Sequence, residues 1–339
     1  MSAKKLRAEK EQSSEPPSSL PEDVIIDILA RVPRCNYPTL SLVSKHFRSL
    51  VASREIYARR SLLGCTEHCL YVVLTNEDSG DHQLYILRRK ANGNHRFILI
   101  PSLPSMHDSG CYVAMSSKIY VFNNTTSLVI DCISHTAQPL PSMPVLMEVR
   151  MADIIDGRIY VIGKITSKDT RMAVFNTETQ TWEPETIKVE TEAKMWRWEC
   201  VVMAGKMYFS DRENSNVYEP KGRKWETDEM VNGKEWENAC VVDDVLYYYD
   251  DYKDKIRAYD SEKKSWGVVK GVEELYDMVN PGWWKTASYG GKLFLFRDED
   301  SYVGVTYFAE ISLERNKKGR FGVKLNGWMG LRLICMLML

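Results

Sequence analysis

The chain has 339 residues, with 45 Lys and Arg against 46 Asp and Glu, a formal net charge of −1. That length allows about two average domains. The balanced charge argues against a protein built to neutralise phosphates or an anionic membrane, and 44% hydrophobic with 27% charged residues excludes wholesale disorder. No run reaches the roughly 18 apolar residues of a membrane span, and Met1–Ser19 has no apolar centre for a secretory signal. The expectation is an intracellular chain, cytoplasmic or nuclear or both, with its eight cysteines reduced. Cys65, His68 and Cys69 are the one cluster of ligand type and too few for a zinc site, so neither metal nor cofactor is expected. Two distributions are uneven: all nine Trp lie at or after Trp182, and all six His at or before His135.

Residues 1–18 are rich in Lys, Glu, Ser and Pro and read as a disordered lead. The pattern changes at Ser19-Leu20-Pro21-Glu22-Asp23, where Ser19 suits an N-cap, Pro21 the first turn, and the two acids the positive end of a helix dipole. Val24, Ile25, Ile28, Leu29 and Val32 then recur as one helical face, which Pro33 ends. A second apolar set runs Leu40, Val43, Phe47, Leu50 and Val51, and a third helix starts at Ser53. Three such helices over residues 19–62 form an all-α module with more apolar side chains than one small core can use, which marks a partner surface.

The segment Leu20-Pro21-Glu22-Asp23-Val24-Ile25-Ile26-Asp27-Ile28-Leu29-Ala30-Arg31-Val32-Pro33, followed by Leu42-Val43-Ser44-Lys45-His46-Phe47-Arg48-Ser49-Leu50-Val51, resembles the F-box. The resemblance implies docking onto a Skp-type adaptor and, through it, a cullin scaffold. The residues matching the family's adaptor contacts are Leu20, Pro21, Val24, Ile25, Ile28, Leu29, Val43 and Phe47, about half of which are expected to face the adaptor. Arg34-Cys35-Asn36-Tyr37 departs from the family's usual basic pair and apolar residue.

From Cys69 onward short apolar runs alternate with turn signals, the mark of strands. A small or basic residue, an aliphatic and an aromatic recur as Lys118-Ile119-Tyr120, Arg158-Ile159-Tyr160, Lys206-Met207-Tyr208, Val245-Leu246-Tyr247 and Lys292-Leu293-Phe294. The turn signals Asp156-Gly157, Ala204-Gly205, Asp243-Asp244 and Gly290-Gly291 precede four of these anchors. Downstream, Phe175 and Trp182, Tyr218 and Trp225, and Tyr259 and Trp266 each stand seven apart around a polar stretch, as in a strand, a tight hairpin and a second strand. Upstream of three anchors stand Trp198, Trp236 and Trp283. Each unit reads as four strands that cannot bury their own faces, so the units pack around an axis as an all-β propeller over 69–328, with six blades and the Trp residues in the blade cores. The first unit lacks a first strand, which one from the other end of the chain would supply; residues 329–339 are set apart as an atypical tail.

This repeat resembles the kelch family, and the order F-box then kelch resembles a large group of plant substrate receptors in SCF ubiquitin ligases. The kelch double glycine is absent, with Gly163 its nearest remnant. A propeller oxidase with copper needs His ligands, and four blades hold none after His135; sialidase boxes, phosphate loops and Gly-x-Ser-x-Gly elbows are missing too. No catalytic residue is expected, and the chain reads as a non-catalytic adaptor, with a scaffold that assembles no ligase as the alternative. Residues 1–62 carry 11 basic and 7 acidic residues, a net +4 that leaves −5 for the rest, so the propeller offers no track for nucleic acid. Its partner is expected to be an unidentified protein substrate. Polar stretches after the anchor strands share one rim, and there Arg212, Tyr252 and Arg297 are the chosen substrate contacts, since Tyr and Arg are enriched in binding hot spots.

Overall fold

The computed structural model describes residues 20–75, 80–89, 95–107, 110–189, 199–210, 215–232, 236–272, 284–298, 305–315, 321–332 and 337–338. The lead, Ser19, Trp198, Arg212 and Trp283 lie outside the described residues. The chain divides into a helical N-terminal unit and a β unit.

In the helical unit α1 spans Glu22–Arg31, and its N-cap position is held by Pro21, whose φ of −52° leads into the helix. A 3₁₀ turn at Arg34–Asn36 leads into α2 (Tyr37–Val43), followed by α3 (Lys45–Val51) and α4 (Arg54–Leu62). The sequence read a single helix across Leu40–Val51. Ser44 breaks it: its extended backbone leaves the helix, and its hydroxyl accepts the Phe47 amide at 3.0 Å, capping α3. Four helices therefore stand where three were expected. Ser53 caps α4 in the same way, through the Ile56 amide.

The core of this unit takes Ile26, Leu29 and Ala30 from α1, with Tyr37, Leu50, Val51 and Ile56. The expected apolar face is thus corrected, because Ile26 points inward while Val24 and Ile28 point out. Arg60 joins the far ends of the unit. Its side chain is buried; Nη1 donates to the Ala30 and Val32 carbonyls at 2.9 and 2.7 Å and to the Tyr37 hydroxyl at 3.1 Å, while Nη2 donates to Glu67 at 2.7 Å. The guanidinium so satisfies carbonyls that the end of α1 leaves open.

In the β unit five sheets take four consecutive strands or more. They are β4 (Cys111–Met115) to β7 (Thr136–Pro139), β8 (Glu148–Ile155) to β12 (Ile187–Lys188), β13 (Glu199–Met203) to β16 (Lys224–Thr227), β17 (Cys240–Val242) to β20 (Ser265–Val268), and β21 (Trp284–Tyr289) to β24 (Phe321–Arg332). We number these blades 2 to 6. Blade 1 holds β1 (Tyr71–Thr75), β2 (His82–Arg89) and β3 (His95–Leu99), and its missing first strand is β25 (Leu337–Met338), paired to β1 through Val72 and Val73. The residues set apart as a tail therefore complete β24 and close blade 1. First strands of successive blades lie against one another, β4 on β8, β8 on β13, β13 on β17 and β17 on β21, which makes the six sheets a propeller.

The second strands are β5 (Lys118–Phe122), β9 (Arg158–Thr166), β14 (Lys206–Ser210), β18 (Val245–Asp250) and β22 (Lys292–Asp298). On each, the anchor aliphatic (Ile119, Ile159, Met207, Leu246, Leu293) packs into the seam with the preceding blade. The anchor aromatic beside it (Tyr120, Tyr160, Tyr208, Tyr247, Phe294) packs into the seam with the following one. Side chains alternating across the strand produce this division. Blade 1 follows the rule with Leu70 and Tyr71, a sixth anchor that the repeat did not reveal.

All four expected hairpin signals adopt positive φ at both central residues, for example 49° at Asp156 and 73° at Gly157. The Trp pairs are cross-strand neighbours: Phe175 faces Trp182, Tyr218 faces Trp225 and Tyr259 faces Trp266, with ring centroids 5.0, 4.9 and 5.0 Å apart. Trp236 is buried in the seam of blades 4 and 5. His68 sits edge-on to Tyr289, Cys69 packs against the blade 1 core, and in the helical unit the Cys65 thiol donates to the Leu63 carbonyl.

Two variants test this packing. A Cβ at Gly163 would lie 2.6 Å from the Glu148 carbonyl oxygen and 2.8 Å from Met147 Cγ. Gly163→Ala is expected to cost about 1–3 kcal/mol, read as a lower urea midpoint of Trp fluorescence, a signal that belongs to the β unit alone. Arg60→Ala leaves two carbonyls and the Tyr37 hydroxyl without their donor. It is expected to cost the helical unit about 3 kcal/mol or more, lowering the melting of the helical circular dichroism while the Trp transition stays in place.

Candidate functional site

Two surfaces present the residues that the sequence singled out. On α1 and its N-cap, Pro21, Val24, Ile25 and Ile28 share a side by their three- and four-residue spacing, opposite the buried Ile26 and Ala30. Val24 is 41% and Ile28 50% exposed, Leu20 and Pro21 are exposed ahead of them, and Ile25 is half-buried. At the end of α2 Val43 is 64% exposed, and Leu42 beside it is more exposed still. Phe47 on α3 is half-buried against the core. Leu29 differs from the others: at 3% exposure it belongs to the unit's own core and holds the outer face from beneath.

Position here follows from capping. Ser44 turns the chain between Val43 and Phe47, and Arg60 fixes the end of α1, so the outward side chains need no contribution to the core that carries them. Large aliphatics left in water on a small module make this face a candidate partner surface.

In the β unit, loops between second and third strands gather at one rim, since every blade repeats the same antiparallel order. In blade 5 this loop is the turn between β18 and β19 (Lys255–Asp260), and there Tyr252 is 92% exposed. Arg297 is not in a loop as expected but in β22, one residue from its end at the same rim and in register with Trp284 and Tyr307. The expected loop of residues 164–171 shrinks to Ser167-Lys168 because β9 and β10 (Asp169–Asn176) extend into it. Sequence reasoning missed Leu146 and Ile165, both exposed where blade 3 meets this rim. Their signal was an aliphatic standing outside the alternation.

The rim is acidic around Tyr252. Burial, and then Glu237, Asp250 and Asp254, push the Asp251 carboxyl up from its ordinary value. Asp250 is held by Arg257 at 3.0 Å, and Asp254 accepts the Tyr249 hydroxyl. At the opposite rim a groove of about 680 Å³ runs between hairpins of blades 2, 3 and 4, lined among others by Met115, Asp156, Arg158, Tyr160 and Lys221. Its ion pairs are long, Lys221 to Asp156 at 3.9 Å and Arg158 to Glu183 at 3.8 Å.

Comparison with known proteins places both units in known families. The F-box domain family matches residues 17–59, and the FKB95, Kelch-repeats domain family matches residues 84–328. The Arabidopsis thaliana F-box/kelch-repeat protein At4g38940 is 43% identical over 346 residues, covering 94% of this chain and 93% of that protein. A second Arabidopsis protein, F-box/kelch-repeat protein At4g39240, is 35% identical over 314 residues, 89% of this chain and 83% of its own length. By domain order and by identity along nearly its whole length, the chain belongs to the plant F-box/kelch-repeat family.

Proposed function

We propose that this chain is the substrate-recognition subunit of an SCF-type ubiquitin ligase. The helical unit docks on a Skp-type adaptor, itself bound to a cullin, and the propeller holds a protein substrate at its rim. The observation that carries this reading is the row of Leu20, Val24, Ile28 and Val43, aliphatic and exposed on a unit whose core is complete without them. Burying such side chains against a partner contributes about 1.5–3 kcal/mol each. The chain supplies proximity and no chemistry: it raises the local concentration of a substrate lysine near a conjugating enzyme that performs the transfer. Among the described residues no helix is long and apolar enough to cross a membrane, in keeping with a complex assembled in cytoplasm or nucleus.

The test is capture of a purified Skp-type adaptor by the full chain. Val24→Glu combined with Ile28→Glu is expected to weaken binding at least 30-fold, about 2 kcal/mol, while Leu146→Glu on the propeller leaves it unchanged. A wild-type chain that fails to bind the adaptor would establish the scaffold reading instead. The two rims are separated by proteins that accumulate on the chain when cullin activity is blocked. Tyr252→Ala is expected to release them, and Lys221→Glu in the opposite groove to retain them; the reverse result moves the substrate site to the groove.

A further inference from the structure

Blade 3 stands higher than its neighbours at the rim that carries Tyr252. Counted from the anchor residue, β9 runs nine residues, where β5 in blade 2 has five and β18 in blade 5 has six. The difference raises its end by roughly 10 Å. β10 accompanies it with eight residues, and β8 reaches the same height, with Glu148 in register with Lys164.

Two bulges shape this raised corner. Between β8 and β9 the register passes from Val149 opposite Gly163 to Met151 opposite Ile162, which leaves Arg150 without an opposite residue. Between β9 and β10 it passes from Lys164 opposite Thr170 to Thr166 opposite Asp169, which leaves out Ile165. A bulge takes its extra residue out of the alternation and re-aims the side chain. Ile165 emerges 39% exposed. Leu146, just ahead of β8, is 82% exposed, although Met143, Val145 and Met147 around it all pack into the seam of blades 2 and 3. The seam is filled without either aliphatic.

The charge around them is one-sided. Glu148 pairs with Arg150 at 2.5 Å and Asp169 with Arg171 at 2.8 Å, so both carboxylates of the corner are engaged by arginines. Lys164 and Lys168 remain, and among the described residues neither has an ion pair. The rim thus presents cations beside aliphatics at blade 3 and carboxylates around Tyr252 at blade 5.

We propose that the raised corner of blade 3 docks an acidic segment of a protein substrate. An aliphatic side chain of that segment packs on Leu146 and Ile165, and carboxylates flanking it face Lys164 and Lys168. The proposal rests on the reading of this chain as a substrate receptor and names the class of segment it takes. Apolar contact holds the segment, while charge selects it: the lysines repel basic segments, and the acids around Tyr252 keep an acidic one at blade 3.

The experiment is selection of a phage-displayed library of random peptides on the full chain, without adaptor. Peptides with Asp and Glu around a Leu, Ile or Val are expected. A selected peptide carrying fluorescein then reports affinity by anisotropy. Leu146→Glu, and separately Lys164→Glu with Lys168→Glu, are each expected to weaken it at least about 10-fold. Salt raised from about 0.05 to about 0.5 M weakens binding to the wild type and not to the lysine variant. Selection of Lys- and Arg-rich peptides, selection of none, or an affinity that both variants leave unchanged would overturn the proposal. So would a dimer of the chain that Leu146→Glu dissolves, since the face would then belong to a second copy. The urea midpoint of Trp fluorescence shows that each variant is folded; Leu146→Ser replaces Leu146→Glu if that one is not. Failure of the receptor reading shows elsewhere, as lost adaptor capture with these peptide affinities intact.

Discussion

The structure depends on one arrangement: a second strand whose successive side chains serve the two neighbouring sheets in turn, the anchor aliphatic one and the anchor aromatic the other. Ile119 and Tyr120 are adjacent in sequence yet belong to different seams, as do Ile159 with Tyr160 and Leu293 with Phe294. A sheet made this way has two apolar faces, so no blade is stable alone and no row of blades can end in water. Ring closure is the only geometry that buries both faces of every sheet. The closing seam obeys the same logic, with Phe294 and Phe296 set against Leu70, Val72 and Leu74. The pairing of β25 with β1 secures what that packing demands.

Because cohesion lies in the strands, the hairpins are constrained by geometry more than by composition. Asp131, Asn176 and Asp260 each use one side-chain oxygen to accept two amides of the following turn. The turn then ends in a positive-φ residue at His135, Gln180 and Lys264. In blade 2 the same turn is followed by Ala137 opposite Ile130, where blades 3 to 5 place Trp. The hairpin therefore does not need the indole. The indole fills the outer seam, and a blade with other bulk there dispenses with it.

This explains what could be read in advance. Blade count, hairpin positions and the aromatic pairs were legible because a period of about forty residues repeats them, and repetition averages out local ambiguity. The sixth anchor, Leu70 with Tyr71, escaped because its blade lacks the preceding hairpin: the first strand comes from the other end of the chain. In the helical unit nothing repeats. Val24 and Ile28 are as apolar as Ile26, and periodicity alone does not tell a face that packs inward from one kept for a partner. Arg60 was legible only as one of two adjacent basic residues, since its role depends on carbonyls some thirty positions away. The exposed Leu146 and the strand position of Arg297 likewise depend on where β8 and β22 begin and end.

Charge is placed by the same constraints. The chain's net −1 divides into a basic helical stretch and an acidic remainder, and part of that acidity sits at the axis and its rim. Seams made of alternating aliphatic and aromatic side chains leave a carboxyl little solvent and few cations. The first and last strands, at the two edges of each sheet, are where backbone amides are left over to receive one. Asp153, half-buried on β8, finds such a donor in the Ile154 amide at 2.7 Å. A lysine there would find no acceptor among those edge amides, and an aliphatic side chain would leave the amides unpaired. An acid at a sheet edge is thus a polar residue that such a propeller accommodates.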